Sequence, residues 1–193
     1  MNSKITYFGN TDLLSLGEMV RYNNHAKIKN ENVATHTFIA ATNIFKICHK
    51  FNIPQAVKLL ALEMVIVHDI GELATNDIPH NFKKANPELK KMLEVAELQF
   101  MKESMPEFYQ SFERLIRMEK AETLIAVIVK LADTISVLQY SNNELDLGNK
   151  TPKMVEINED AKRRVLILIN KLEEKILEFN EDMAKREAEQ ANN

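Results

Sequence analysis

Residues 54–71 run Pro54-Gln55-Ala56-Val57-Lys58-Leu59-Leu60-Ala61-Leu62-Glu63-Met64-Val65-Ile66-Val67-His68-Asp69-Ile70-Gly71. Pro54 suits a first helical position, and the segment to Asp69 is apolar nearly all round, which places a helix at the centre of a core. Two polar residues, His68 and Asp69, end it. Burying them there is costly unless something satisfies them. Gly71 and the run Asn76-Asp77-Ile78-Pro79 are expected to break the helix into a loop, leaving His68-Asp69 at its mouth.

Outward from this helix, other segments repeat apolar residues at helical spacing. Upstream, Val33, Thr37, Ala40, Ile44, Ile47 and Phe51 predict a helix with His36 near its first turn. Before it, residues 1–10 are a lead-in, Thr11 or Asp12 is placed to cap a short helix through Val20, and Arg21 and Tyr22 follow. Downstream, amphipathic segments near 87–104 and 106–117 precede an apolar helix from Glu122 to about Ser141 that holds Asp133. Val165, Leu168, Leu172, Ile176, Phe179 and Met183 form a seam on a last helix of about 158–187, with a fraying polar tail. That seam could dock on the body of the protein or pair with a second subunit. With 4 Gly and 5 Pro among 193 residues, short turns between helices are expected. The reading is all-α: one domain over 1–193, a helical bundle with its core in about 11–150 and a long C-terminal helix.

A formal charge of −3 offers no broad basic field, so polymeric nucleic acid is a poor partner, whereas a small phosphate ester needs only one or two local cations. The one cysteine, Cys48, excludes an internal disulfide and is expected to be a buried thiol. No apolar run of membrane-spanning length and no signal-peptide pattern stand out, so a cytoplasmic protein without membrane partners is expected.

Chemistry concentrates on His68-Asp69 and on Asp133, which lies between Leu131-Ala132 and Ile135 in an apolar helix. Imidazole and carboxylate donors suit Co, Mn, Fe or Zn. Simpler alternatives exist for each: a hydrogen bond from His68 to a backbone carbonyl, an ion pair of Asp133 with Lys130, and a satisfied surface or core histidine at His36.

The strings Arg21-Tyr22, Asn30-Glu31-Asn32-Val33-Ala34-Thr35-His36, His68-Asp69-Ile70-Gly71-Glu72, Thr75-Asn76-Asp77-Ile78-Pro79 and Lys130-Leu131-Ala132-Asp133, with a trailing Gly148-Asn149, span residues 21–149. Their order resembles the HD-domain metal-dependent phosphohydrolases, more narrowly the 5'-deoxynucleotidase (YfbR-like) branch. Alarmone hydrolases of the superfamily carry Glu then Asp after the His-Asp pair, but Leu73 follows Glu72 here. The cyclic dinucleotide phosphodiesterases continue with Lys and add histidines for a second metal, so one metal is the better reading. The resemblance implies that His36, His68, Asp69 and Asp133 bind one divalent ion, that Glu72 is an acid/base or water-positioning group, and that Arg21 clamps phosphate. Asp77 would accept from the sugar 3'-hydroxyl, with Tyr22, Ile78, Pro79 and His80 completing the substrate wall. The position after the arginine is typically Trp in that branch and is Tyr22 here, which leaves the choice between deoxyribose and ribose open.

The resulting expectation is a 5'-nucleotidase acting on (deoxy)nucleoside monophosphates, with a homodimer as its assembly. Its rivals are a triphosphohydrolase on the same scaffold, using Lys83 and Lys84 for the longer phosphate chain, and a non-catalytic nucleotide-binding regulator.

Overall fold

The computed structural model describes residues 12–78 and 80–191. A short 3-10 turn, Asp12–Leu14, leads into α1 (Ser15–Glu18), α2 (Val33–Lys50), α3 (Gln55–Val67), α4 (Glu72–Thr75), α5 (His80–Ala85), α6 (Pro87–Ser104), α7 (Pro106–Lys120), α8 (Leu124–Asp146) and α9 (Pro152–Ala191). Among the described residues there is no strand; a single bridge joins Val20 and Asn32. Helix starts follow local chemistry. Asn32 caps α2 by accepting from the Thr35 amide at 2.8 Å, Thr123 caps α8 by accepting from Ala126, and α6 and α7 open on prolines whose missing N–H costs nothing there.

One core cluster joins α2, α3, α8 and α9 through Ala40, Ile44, Met64, Val65, Ile128, Leu131 and Leu172, all at most 1% exposed. A second, with Val67, Ile70, Met101, Met105 and Phe112, seals the far end of α3 under α6 and α7. The apolar helix of residues 54–71 is thus central, as its composition requires. Cys48 is a buried free thiol.

Five details depart from the sequence reading. The first helix stops at Glu18 and not at Val20, with Met19 extended and Val20 in the bridge, and its start carries no side-chain cap from Leu14; Thr11 lies outside the described residues. Gly71 does not break the chain: its backbone is helical (φ −59°, ψ −24°), and the stop comes at Asn76, at φ 62°. Glycine is required at 71 for closeness, since a Cβ there would lie 2.9 Å from both Glu97 Cβ and Phe112 Cζ. The last helix starts at Pro152 rather than 158, because Pro152 takes a first-turn position and the Thr151 hydroxyl accepts from the Met154 amide at 3.4 Å. It also stays helical to Ala191, solvent-exposed at its end, instead of fraying after Met183. Finally, α8 has the length and hydropathy of a membrane-spanning segment, against the expectation that no apolar run reaches that length. Its apolar side chains lie mostly inside the bundle, so this is the composition of a core helix. The seam on α9 docks on the protein's own body, with Leu168 and Leu172 buried and Val165, Ile176 and Phe179 packed beside them. A dimer would therefore rest on other surfaces.

Candidate active site

Three helices deliver the polar centre. His36 sits in the first turn of α2, fully buried, and Asp133 at mid-α8. His68 and Asp69 follow directly on α3, with side chains 10% and 17% exposed. The His36 and His68 rings stand 5.5 Å apart. His36 Nε2 lies 3.1 Å from Asp133 Oδ1 and 3.7 Å from Asp69 Oδ2, and His68 Nε2 lies 3.2 Å from Asp69 Oδ2. Both Nε2 atoms are buried, and neither makes a hydrogen bond. Two imidazole nitrogens facing carboxylate oxygens call for a positive centre between them, a proton or a metal ion.

The spacing fits that need. Ligand atoms about 2.0–2.2 Å from one ion stand about 3.0–3.5 Å from each other; the His36–Asp133 and His68–Asp69 contacts, at 3.1 and 3.2 Å, fall in that range, and the His36–Asp69 distance of 3.7 Å is longer. The potential donors of His36, His68 and Asp69 all lie within 4.8 Å of one another. The tautomers suit it too. His68 Nδ1 lies 2.6 Å from the Val65 carbonyl and so must donate to it, which turns Nε2 toward Asp69. The helix-end hydrogen bond that competed with the metal reading is thus part of it. Lys130, the alternative partner of Asp133, is exposed, and the Asp133 carboxylate lies against His36.

Electrostatics bear on each of these groups. Burial, and then the charge of Arg21, lower His36 below its ordinary value. Burial alone would raise Asp69, but His68 and Arg21 hold it below the usual carboxylate range. At Asp133, His36 likewise overcomes burial.

Around this centre stand Arg21, Glu31 and Glu72. Arg21 donates from Nη1 to Asp69 Oδ2 at 3.1 Å, and its Nε lies 3.5 Å from Glu31 Oε2. Glu72 is 7% exposed. Its Oε1 lies 3.3 Å from Lys83 Nζ, and its Oε2 is buried without a partner. Burial, then the charge of Asp69, push its carboxyl up to about 9 against the pull of Lys83. Asp77 and Ile78 are half-buried, and Asp77 is near enough for its charge to act on Arg21, Glu31 and Glu72. Pro79 and the side chains of His80 and Lys84 lie outside the described residues. Tyr22, at φ 55°, stacks on Tyr140 of α8 with ring centres 4.9 Å apart and planes 1° from parallel.

Several supporting residues escaped the sequence reading. Glu144, fully buried, accepts from the Ile28 and Lys29 amides and from Asn149 Nδ2, each at 2.7 Å. The Tyr140 hydroxyl donates to the Lys29 carbonyl at 2.9 Å, and Lys27 Nζ donates to the carbonyls of Arg21 and Tyr22. The Glu144 and Tyr140 contacts fasten the irregular segment 20–32 to α8, and the Lys27 contacts tie the segment to itself. Glu31 is buried as well, and burial pushes its carboxyl up to about 7, opposed by Arg21.

The model of a known family, "5'-deoxynucleotidase YfbR-like", matches residues 8–185. The chain belongs to this YfbR-like family. It is accordingly a nucleotide phosphohydrolase, an enzyme acting on phosphate esters. Solved structures agree in fold. An HD-domain phosphohydrolase from Listeria innocua, lin2634, shares 22% identity over 92% of this chain and 88% of its own, with a TM-score of 0.68. The PH0347 protein of Pyrococcus horikoshii shares 23% over 90% and 99%, at 0.63. The cyanophage S-2L HD phosphohydrolase DatZ, solved with dA and one catalytic Zn2+ ion, shares 20% over 91% and 96%, at 0.61. No curated protein matches the chain in sequence.

Proposed function

We propose that this enzyme removes the 5'-phosphate from nucleoside monophosphates, deoxy forms included, with His36, His68, Asp69 and Asp133 holding one divalent ion of the Co, Mn, Fe or Zn type. The observation that carries this is the convergence of two buried, unpartnered imidazole Nε2 atoms on the carboxylates of Asp69 and Asp133. A bound ion would supply Lewis acidity and a water of lowered pKa. Arg21, beside Asp69, is placed to turn its planar fork to two phosphoryl oxygens next to the ion. Hydrolysis forms a bond from water oxygen to phosphorus, breaks the ester P–O bond and moves one proton from water to the departing 5'-oxygen. Glu72 is the proton carrier in this reading: Lys83 fixes one oxygen, and the other, buried and unpartnered, is free to exchange a proton. Asp77 would accept from the sugar 3'-hydroxyl, and the Tyr22 ring, backed by Tyr140, would pack against the sugar with Ile78.

Monophosphates are favoured over triphosphates because Lys83, which the longer chain would need, is committed to Glu72. The test is to strip the protein of metal, supply Co, Mn, Mg or Zn, and measure phosphate release from paired ribo- and deoxynucleotides at the mono-, di- and triphosphate levels. Orthophosphate from monophosphates is expected. Asp69→Ala is expected to lose metal binding and turnover together, whereas Glu72→Ala keeps the metal and loses turnover. Release of tripolyphosphate, or nucleotide binding without hydrolysis by metal-loaded protein, would overturn the proposal.

A further inference from the structure

Asn43 is a buried polar side chain that the reaction outlined above does not use. It sits on α2 two turns after His36 and on the same face, 1% exposed in a stretch that also buries Ala40, Ile44 and Ile47. Its Nδ2 donates twice into α8, to the Ala132 carbonyl at 3.3 Å and to Gln139 Oε1 at 3.0 Å. A carbonyl can only accept, so the Ala132 contact fixes which end of the amide faces α8. Its Oδ1 is buried without a hydrogen bond.

A buried acceptor left in that state opposes folding, and a leucine of nearly the same shape would avoid the cost. Nothing else would be stranded by that exchange. Ala132 lies within α8, whose own ladder uses its carbonyl, and Gln139 is exposed and can turn to water. The amide is thus ill suited to holding the bundle together, but well suited to fixing one helix against another. The core residues that α2 and α8 contribute, from Ala40 and Ile44 to Ile128, Leu131 and Ala132, are apolar. Apolar contacts tolerate small slides and rotations, whereas a hydrogen bond to one backbone carbonyl does not. Ala132 immediately precedes Asp133. Holding its carbonyl to α2 fixes the turn of α8 that carries Asp133 against the helix that carries His36, whose Nε2 stands 3.1 Å from Asp133 Oδ1. A metal site needs such spacing held to about 0.5 Å.

We infer that Asn43 is a positioning residue: bonded to the Ala132 carbonyl and oriented by Gln139, it sets the register of α8 on α2 that brings Asp133 to His36 for metal binding. This rests on the metal reading of the site.

The experiment compares wild type, Asn43→Leu and Gln139→Leu, each metal-free and then titrated with Co2+. Asn43→Leu should keep its metal-free Tm at or above the wild-type value, while Co2+ affinity by calorimetry falls about 10-fold and the visible absorption of the bound Co2+ changes. At saturating Co2+, kcat for a nucleoside monophosphate should fall with KM little changed, because Arg21 and Tyr22 come from a segment to which Asn43 makes no hydrogen bond. Gln139→Leu, a surface change, should lower Co2+ affinity by a smaller factor, and adding it to Asn43→Leu should lower affinity no further. A folded Asn43→Leu protein with wild-type Co2+ affinity and spectrum overturns the inference, and so does a Gln139→Leu protein with both unchanged, even where Asn43→Leu does not fold. A loss of Co2+ affinity that tracks a loss of metal-free Tm across the variants also overturns it, because the amide then holds the fold and not the spacing. A wild type that neither binds Co2+ nor releases phosphate removes the site reading itself, a different result from an active wild type whose metal is indifferent to Asn43 and Gln139.

Discussion

Replacing Glu144 tests whether one remote carboxylate holds the arginine-bearing segment. In Glu144→Ala, the Ile28 and Lys29 amides and the Asn149 side-chain amide all lose their 2.7 Å acceptor, and a buried void opens. Each orphaned donor costs about 1–3 kcal/mol when water is excluded. Ile28 and Lys29 are surface residues, so water recovers part of two of these, and a loss of about 2–4 kcal/mol is expected. For a chain of this length each kcal/mol lowers Tm by about 2–4 °C, giving a fall of roughly 10 °C in thermal unfolding followed by circular dichroism. The effect has a pH signature. Although burial would raise it, the Asn149 and backbone hydrogen bonds hold the Glu144 carboxyl below its ordinary value. Its stabilisation is therefore complete above the unfolded value of about 4.3 and is lost as pH falls through the lower folded value. Glu144→Gln should lack that part of the acid transition and should also raise KM through a looser Arg21. A Glu144→Ala protein with wild-type Tm and KM would refute the clamp.

Two further outcomes follow from the site and its support. Gly71→Ala keeps the helical backbone but drives a methyl into Glu97 and Phe112 at 2.9 Å, so over-packing should outweigh the gain in helix propensity and cost about 1–2 kcal/mol in urea unfolding; an unchanged midpoint would contradict the close approach. In metal-free protein Glu72 keeps its proton well above the pH at which the unfolded chain releases it. Stability should therefore fall as pH rises from about 4.3 toward the folded value of about 9, and Glu72→Gln, a mimic of the protonated form, should flatten that slope in Tm measured from pH 5 to 9.

The helices were legible because their packing repeats along the chain: residues 54–69 announce a core helix by composition, and the α9 seam marks its buried face. His36, His68, Asp69 and Asp133 were legible as a motif, and the structure draws their side chains together. Local sequence could not show what supports them. Glu144 meets Ile28 across 116 residues, Tyr140 meets Lys29 across 111, and Ser136 meets His36 across 100. Each such residue looks like an ordinary polar position on a helix until the fold brings its partner to it. Gly71 misled for the opposite reason: glycine usually marks flexibility, whereas here the missing Cβ admits α6 and α7. Lys83 looked like a free cation for phosphate because its partner, Glu72, belongs to the preceding short helix and meets it only after the turn at Asn76.

The two halves of the site are held by different means, and this predicts where substrate choice can drift. The side chains of His36, His68, Asp69 and Asp133 issue from α2, the end of α3 and the middle of α8, elements locked by a shared core, so their spacing can shift only if the core does. Arg21 and Tyr22 come from an irregular stretch with Tyr22 in a left-handed conformation, held by Glu31, Lys27, Tyr140 and Glu144. Such clamps are individually replaceable. Swapping Tyr22 for a larger ring would have to displace or re-tilt the parallel stack on Tyr140 without touching His36, His68, Asp69 or Asp133. On the proposed reading of the site, selectivity at the sugar would thus change by substitutions in 20–32 and on the outer turns of α8, while hydrolysis of the phosphate ester would stay anchored in the bundle.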